Sequence, residues 1–261
     1  MSPVIVPITV FIFGLLIGSF LNVCISRLPE GLSIVRPRSR CPKCLAPISF
    51  YDNVPLLSFI LLRGRCRHCS APIPWRYPAV EFITALATTL LFLKWWTAPL
   101  WLSAALAAVC LLIIVAFIDF ETMMIADAFS YGLVGLGLAA CFVNPYFTGP
   151  ALSRLLSSFG GAVSGAFIIW LMAWVGRKIY KKEAVGEGDI FLMAGIGALT
   201  GWQGVFSALM MASFFGSIYG LTLVLAKKAE RFDHIPFGPF LTLGAAINLY
   251  HLVRISDFFI W

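Results

Sequence analysis

Eight stretches of this chain stay apolar over lengths that suit a helix crossing a membrane, and this repetition limits the fold more than any other feature. They run near residues 4–26, 78–93, 100–118, 126–143, 155–175, 190–199, 205–226 and 236–253. About 20 helical residues are needed to cross roughly 30 Å of hydrocarbon, and the sixth stretch is conspicuously short. A membrane β-barrel would show weak alternating segments, whereas these runs are continuously apolar. Composition agrees: 60% of the 261 residues are hydrophobic and 12% charged, with a mean hydropathy of +0.92, far outside the soluble range. The expected fold is an all-α polytopic membrane protein with about eight transmembrane helices. The first stretch has no basic region before it and no small-x-small cleavage site after it, so it reads as a retained helix and not a signal peptide.

The positive charges orient these spans. Of 19 Lys and Arg, nine lie from Arg27 to Arg76, four from Arg177 to Lys182 and three from Lys227 to Arg231, leaving Lys94, Arg154 and Arg254. With the amino terminus outside, the first three groups fall in cytoplasmic loops, as the positive-inside rule asks. That topology sets Asp119, at the end of the third span, and Asp189, at the start of the sixth, on the cytoplasmic side. Asp127 opens the fourth span close by and reads as an ordinary acid at a helix amino end.

An ionised carboxylate at the edge of a hydrocarbon phase is costly, so it is used or paired. The segment VGEGDIFLMAGIGALTG, 185–201, follows two glycines with Asp189 and then an apolar run. From Asp189 to Thr200 a helix reaches roughly 17 Å, so Asp189 sits at depth or the bilayer is thinned there. Gly186 and Gly188 are expected to let the backbone bend and bring Asp189 towards a second carboxylate. Gly186, Gly188, Gly195, Gly197 and Gly201 are expected to let neighbouring helices approach. Two carboxylates in low dielectric share one proton. The ionised member can then take a proton from water while the protonated one polarises a carbonyl, as in aspartic proteases.

These residues carry a resemblance. GEGD at 186–189 matches the Gly-x-Gly-Asp signature of intramembrane aspartyl proteases, and IDFETMMIADAFSYGL resembles the first aspartate segment of the type IV prepilin leader peptidases. In the same order come GLLIGSFLNVCISRLPEG, two CxxC pairs, YDNVPLLSF, RYPAVEF and IPFGPFLTLGA, so the resemblance covers most of the chain. It implies a bacterial inner-membrane enzyme that removes the short basic leader of prepilins or pseudopilins at a Gly–Phe-type junction on the cytoplasmic side. It implies Asp119 and Asp189 as catalytic residues, Gly186 and Gly188 as motif glycines, and methylation of the new amino terminus from S-adenosylmethionine. Two departures stand out. Ala126 replaces a proline common in the family, and Phe191 stands where many members carry a lysine, which removes a charge near Asp189.

The cysteines argue independently. Cys41 and Cys44, then Cys66 and Cys69, form two CxxC pairs with 21 residues between them, the spacing of a two-knuckle zinc site. Neighbouring Lys43, Arg65 and Arg67 favour thiolates. A reducing cytoplasmic loop favours zinc over two disulfides, and four protein ligands make the metal structural. His68 reads as a surface residue; Cys24, Cys110 and Cys141 read as apolar fillers. The loop 29–75 is an insertion within a single peptidase domain, 1–261, since about 50 residues barely support a core without a metal. Its basic residues meet anionic lipid headgroups; stacking aromatics are not interleaved with them, so no nucleic-acid partner is expected.

Three glutamates near the aspartates, Glu121, Glu183 and Glu187, are candidates to receive a basic leader. No Rossmann-type turn is present to hold S-adenosylmethionine. Glu81 could meet a substrate amine or the sulfonium, or could pair with Arg76 or Arg27. Asn22 could bond across helices. A transporter also uses broken helices and intramembrane carboxylates, and is the alternative; a membrane scaffold docking a partner through its zinc loop is a second rival.

Overall fold

The computed structural model describes residues 5–125, 127–180, 186–227, 235–254 and 257. Its order is α1 (Ile5–Arg27), a 3-10 turn (Phe50–Asn53), α2 (Leu57–Leu61), α3 (Arg76–Trp95), α4 (Pro99–Thr122), α5 (Asp127–Ala140), α6 (Ala151–Tyr180), α7 (Glu187–Leu225) and α8 (Gly238–Tyr250). Helices α1, α3, α4, α6 and α7 are long and apolar enough to cross a membrane; α5 is a shorter apolar helix. The chain divides into two compact units, 1–96 and 97–261.

The first unit is built on a pair of helices, α1 and α3. Small residues bring them together: a Cβ on Gly14 would sit 2.6 Å from the Ala85 Cα, and one on Gly18 would sit 2.7 Å from the Glu81 Cα. Side chains at these positions would push the helices apart, so the glycines set the spacing. Asn22 bonds across the pair, as expected, its Nδ2 donating to the Tyr77 carbonyl at 3.0 Å. The loop between α1 and α3 carries the cysteines.

The second unit is organised around the first arm of α7. Residues 192–201 are buried without exception, so this arm is apolar on every face and meets protein all round. Leu133 of α5 approaches Gly195, the Gly161 carbonyl of α6 approaches Gly197, and Met193 approaches Gly165 of α6. The small residues are what allow backbone to meet backbone there. The sixth stretch is thus a central helix enclosed by protein.

The sixth and seventh stretches are one 39-residue element, broken at Gly201 with φ 70° and ψ −179°, a conformation essentially restricted to glycine. A straight helix of that length would reach about 58 Å. Yet Gly188, near its start, packs on Ile125, which also meets Gly238, the residue bonded to Asp119, while Tyr219, near its end, meets the ring of Phe120, next to Asp119, with centroids 6.1 Å apart. Both ends reach the same end of α4, so the chain doubles back at Gly201. The eight expected stretches thus correspond to α1, α3, α4, α5, α6, the two arms of α7, and α8.

A break inside a membrane strands helix carbonyls without water. Here Asn144 Nδ2 donates to the Leu199 carbonyl and Ser158 Oγ to the Ala198 carbonyl, both at 2.7 Å. Beyond the break, buried Asn248 joins the second arm to α8: its Nδ2 donates to the Gly204 carbonyl at 3.3 Å, and its Oδ1 accepts from Ser207 at 3.1 Å.

Candidate active site

Three acids are buried among the described residues, Glu81, Asp119 and Asp189, and no Lys or Arg there is buried with them. Asp119 and Asp189 belong to the second unit. Asp119 lies in the last turn of α4, which Met123 closes in the left-handed conformation, φ 54°, with its N–H donating to the Asp119 carbonyl. That stop directs the chain into Ile125 and α5. The Asp119 side chain accepts one hydrogen bond, from the Gly238 N–H at the start of α8 to Oδ2 at 3.0 Å. Glycine is needed for this approach, since a Cβ at 238 would lie 2.6 Å from that same oxygen.

Asp189 is the third residue of α7. Its Oδ2 accepts the Gly186 N–H at 3.2 Å, and its own N–H donates to the Gly186 carbonyl at 3.2 Å. Its Oδ1 is buried with no hydrogen-bond partner. Ile125 lies between Gly188, next to Asp189, and Gly238, the donor to Asp119: its Cβ lies 2.8 Å from where a Gly188 Cβ would be, and its Cδ1 lies 3.3 Å from the corresponding point on Gly238. Of the two expectations for the motif glycines, close approach holds at Gly188 and the bend does not. Gly186 is extended, φ −69° and ψ 149°, and supplies the N–H; Gly188 is helical and admits Ile125. Neither makes a bend, because an acid in the first helical turn reaches the residue before that turn without one. The sharp bend lies at Gly201.

Each carboxylate therefore has one oxygen tied to a backbone N–H and the other uncommitted. Placed in low dielectric with no buried cation, two such groups hold one proton between them more readily than two negative charges. That is the arrangement needed to activate water on one side of a carbonyl and polarise the oxygen on the other.

The surrounding acids are arranged simply. Asp127 is exposed at the first turn of α5, as its helix-end reading expects; Glu121 and Glu187 are exposed beside the two aspartates. Glu183 and Ala126 lie outside the described residues. Phe191, in the place of a lysine, pairs edge-on with Tyr131 of α5, centroids 5.1 Å apart.

In the first unit, buried Glu81 does not use Arg27 in the way expected. Its Oε2 accepts the Leu56 N–H at 2.9 Å. Arg27 instead donates to the Ser33 and Pro37 carbonyls at 2.9 and 2.7 Å. Leu56 has φ 56°, and its N–H points at the acid because the turn into α2 leaves that donor without a helical acceptor.

The four cysteines of the pairs meet: the Sγ atoms of Cys41, Cys44, Cys66 and Cys69 all lie within 4.8 Å of one another. All four are free thiols, and Cys41 and Cys69 are 3.8 Å apart, about the edge of a tetrahedron with zinc–sulfur bonds near 2.3 Å. The donor set and spacing fit a tetrahedral metal. Two matching turns build the site. In each, the residue after the second cysteine is left-handed, Leu45 at φ 59° and Ser70 at φ 57°. The first cysteine's N–H donates to the following alanine, Cys41 to Ala46 at 2.9 Å and Cys66 to Ala71 at 2.8 Å. The sequence C-x-x-C-x-A-P occurs twice, at 41–47 and 66–72, a short internal repeat that no reading of long periods detects.

Backbone donors set the acidity of these thiols. The Cys44 N–H, then that of Lys43, pulls Cys41 down to about 6, and the Cys69 N–H, then that of His68, lowers Cys66. The Ala71 N–H opposes it, but desolvation and the three neighbouring thiols hold Cys69 up at about 11. The leading causes are peptide groups, where the sequence pointed to Lys43, Arg65 and Arg67.

The fold and site define a polytopic membrane protein with two buried, backbone-anchored aspartates and a cluster of four cysteines that could hold a metal ion. Residues 106–221 match the type IV leader peptidase family, and residues 12–95 match the bacterial peptidase A24 N-terminal domain. The prepilin leader peptidase/N-methyltransferase of Aeromonas salmonicida strain A449 is 35% identical over 266 residues, covering 92% of this chain and 89% of that protein. The namesake enzyme of Myxococcus xanthus is 38% identical over 217 residues, covering 83% of this chain and 62% of its own. A type 4 prepilin-like proteins leader peptide-processing enzyme of Escherichia coli is 34% identical and covers 95% of both chains. No solved structure shows significant similarity. The chain belongs to the type IV prepilin leader peptidase family. The relatives support an enzyme of this class, and the transporter alternative finds no support among them.

Proposed function

We propose that this chain is a membrane aspartyl endopeptidase that removes the leader of prepilins or pseudopilins and then methylates the exposed amino terminus. The observation that supports it best is the pair Asp119 and Asp189, buried without a cation, each with one oxygen fixed by a glycine N–H. In this reading one ionised carboxylate draws a proton from water as the oxygen attacks the peptide carbonyl. The protonated partner donates to the carbonyl oxygen, and the tetrahedral adduct collapses as the leaving amine takes up a proton. Each acid has one oxygen tied to a backbone N–H and one left uncommitted, so the pair is assigned the work jointly.

The exposed Glu121 and Glu187 flank the pair and are proposed to face the basic leader; reversing their charge should weaken cleavage of basic-leader substrates selectively. The positive-inside pattern puts the site at the cytoplasmic face of a bacterial inner membrane. We assign zinc to Cys41, Cys44, Cys66 and Cys69, where it closes a loop with too little core of its own. S-adenosylmethionine supplies the methyl group when bound. Glu81 suits a cationic amine or sulfonium by charge, so Glu81→Gln should reduce methylation and spare cleavage. In the first unit, Arg63 and Arg65 line a groove with Phe59, Ile60 and Trp75, an arrangement that supports contact with anionic lipid headgroups. We read 1–261 as one peptidase, with 29–75 as its metal-binding insertion.

The deciding experiment is the intact mass of a prepilin substrate after incubation with the purified protein and S-adenosylmethionine in detergent, beside Asp119→Asn and Asp189→Asn. Leader loss with the wild type alone is expected, with each variant slowed at least ~10³-fold; a further methyl group confirms the second activity. Cleavage by either variant at the wild-type rate would overturn the assignment.

A further inference from the structure

We infer that Gly238 is a positioning residue of the peptidase, its N–H fixing one oxygen of Asp119 so that the other faces the reacting carbonyl. The inference rests on the aspartyl peptidase reading above. Asp119 lies in the last turn of α4, and its side chain has a single hydrogen bond among the described residues, the 3.0 Å bond from Gly238. Asp189 is held from within its own helix turn by Gly186, whereas Asp119 depends on a donor 119 residues away in the chain.

That donor is one of the first N–H groups of α8, which have no acceptor within their own helix. The fit tolerates no side chain. A Cβ on Gly238 would lie 2.6 Å from Asp119 Oδ2, 3.1 Å from Cγ and 3.3 Å from Ile125 Cδ1, so the carboxylate would have to rotate or retreat. The unpartnered Oδ1 of Asp189 is a second observation, showing that the pair leaves one buried oxygen without a protein donor. Taken together, a glycine N–H anchors each acid and the remaining oxygens are left for the substrate.

Substituting Gly238→Ala should lower kcat by roughly 10²-fold, the scale of a misplacement near 1 Å, with KM changed less than about twofold because substrate contacts elsewhere persist. Melting temperature in detergent is measured for wild type, Gly238→Ala, Asp119→Ala and the double variant. In the wild-type background the new methyl group meets the carboxylate and lowers the melting temperature. Once Asp119 is alanine the methyl group has room, so most of that decrease should disappear. A kcat within twofold of wild type, or an equal decrease in melting temperature in both backgrounds, would overturn the inference. Failure of wild type itself to cut prepilin would instead remove the peptidase reading, so the two failures are distinguishable.

Discussion

Replacing Gly201 by alanine tests the doubling back of α7 directly. The residue holds φ 70° and ψ −179°, and an L-residue forced to stay there is destabilised by about 1–3 kcal/mol. The added Cβ would stand 3.1 Å from Phe147 Cε1, and Phe147 is itself buried, so the ring must shift against packed neighbours, adding roughly 1 kcal/mol. A total near 2–4 kcal/mol corresponds to a melting temperature lower by about 4–12 °C for a chain of this size. Gly160→Ala is the matched control: a Cβ there meets nothing within 4 Å, and a helical glycine gains about 0.5–1 kcal/mol on becoming alanine. Thermal unfolding in one detergent, followed by intrinsic tryptophan fluorescence, reads both. A Gly201→Ala protein that melts within about a degree of wild type and cleaves normally would show that α7 does not turn back at this residue.

Gly161→Ala should be far more damaging than its neighbour Gly160→Ala, because a Cβ at 161 collides with the Gly197 backbone of the central arm; yields and melting temperatures of the two variants are compared. Elemental analysis should find about one zinc per chain, and Cys41→Ser should lose it and make residues 29–75 sensitive to protease. Asp52 pairs with Arg67 through bonds of 2.8 and 2.6 Å, which hold its carboxyl below the usual range. Because the folded value is depressed, the contribution is present above about pH 4 and fades as pH falls through the folded value. Hydrogen exchange of the loop in wild type and Asp52→Asn should therefore differ at neutral pH and converge in acid, by a small amount as befits a surface pair.

Much of this was legible in the chain itself. Apolar length and charge asymmetry gave the passes, because lipid imposes strong and repetitive demands on sequence. The aspartates stood out as acids at the ends of apolar helices, and the cysteines through their spacing. What the sequence hid depends on donors and on three-dimensional approach. Gly238 looks like any glycine before a proline, and only the fold shows that its N–H meets Asp119 across 119 positions. The Gly201 reversal is a single backbone angle between two apolar segments, so a short span was visible without its cause. The Leu56 donor to Glu81 was hidden for a related reason: charge offered Arg27 or Arg76 as one of two open alternatives, but the turn at Leu56 supplies a peptide N–H that no pattern of charges reveals. Gly186 and Gly188 invited a reading of a bend as well as of close approach; Gly188 does give a space, while the contribution of Gly186 is a backbone donor.

The fold-back at Gly201 also bears on how the chain is made. The arm before it, about 21 Å as a helix, is too short to be stable across roughly 30 Å of hydrocarbon by itself. It has to be inserted together with the longer arm that follows, as a hairpin released laterally into the bilayer in one step. Asp189 would then be carried to its depth by a segment synthesised after it, so the acid reaches its partner only when translation has passed the turn. A nascent peptidase truncated between the two arms would hold a single carboxylate and could not hydrolyse anything.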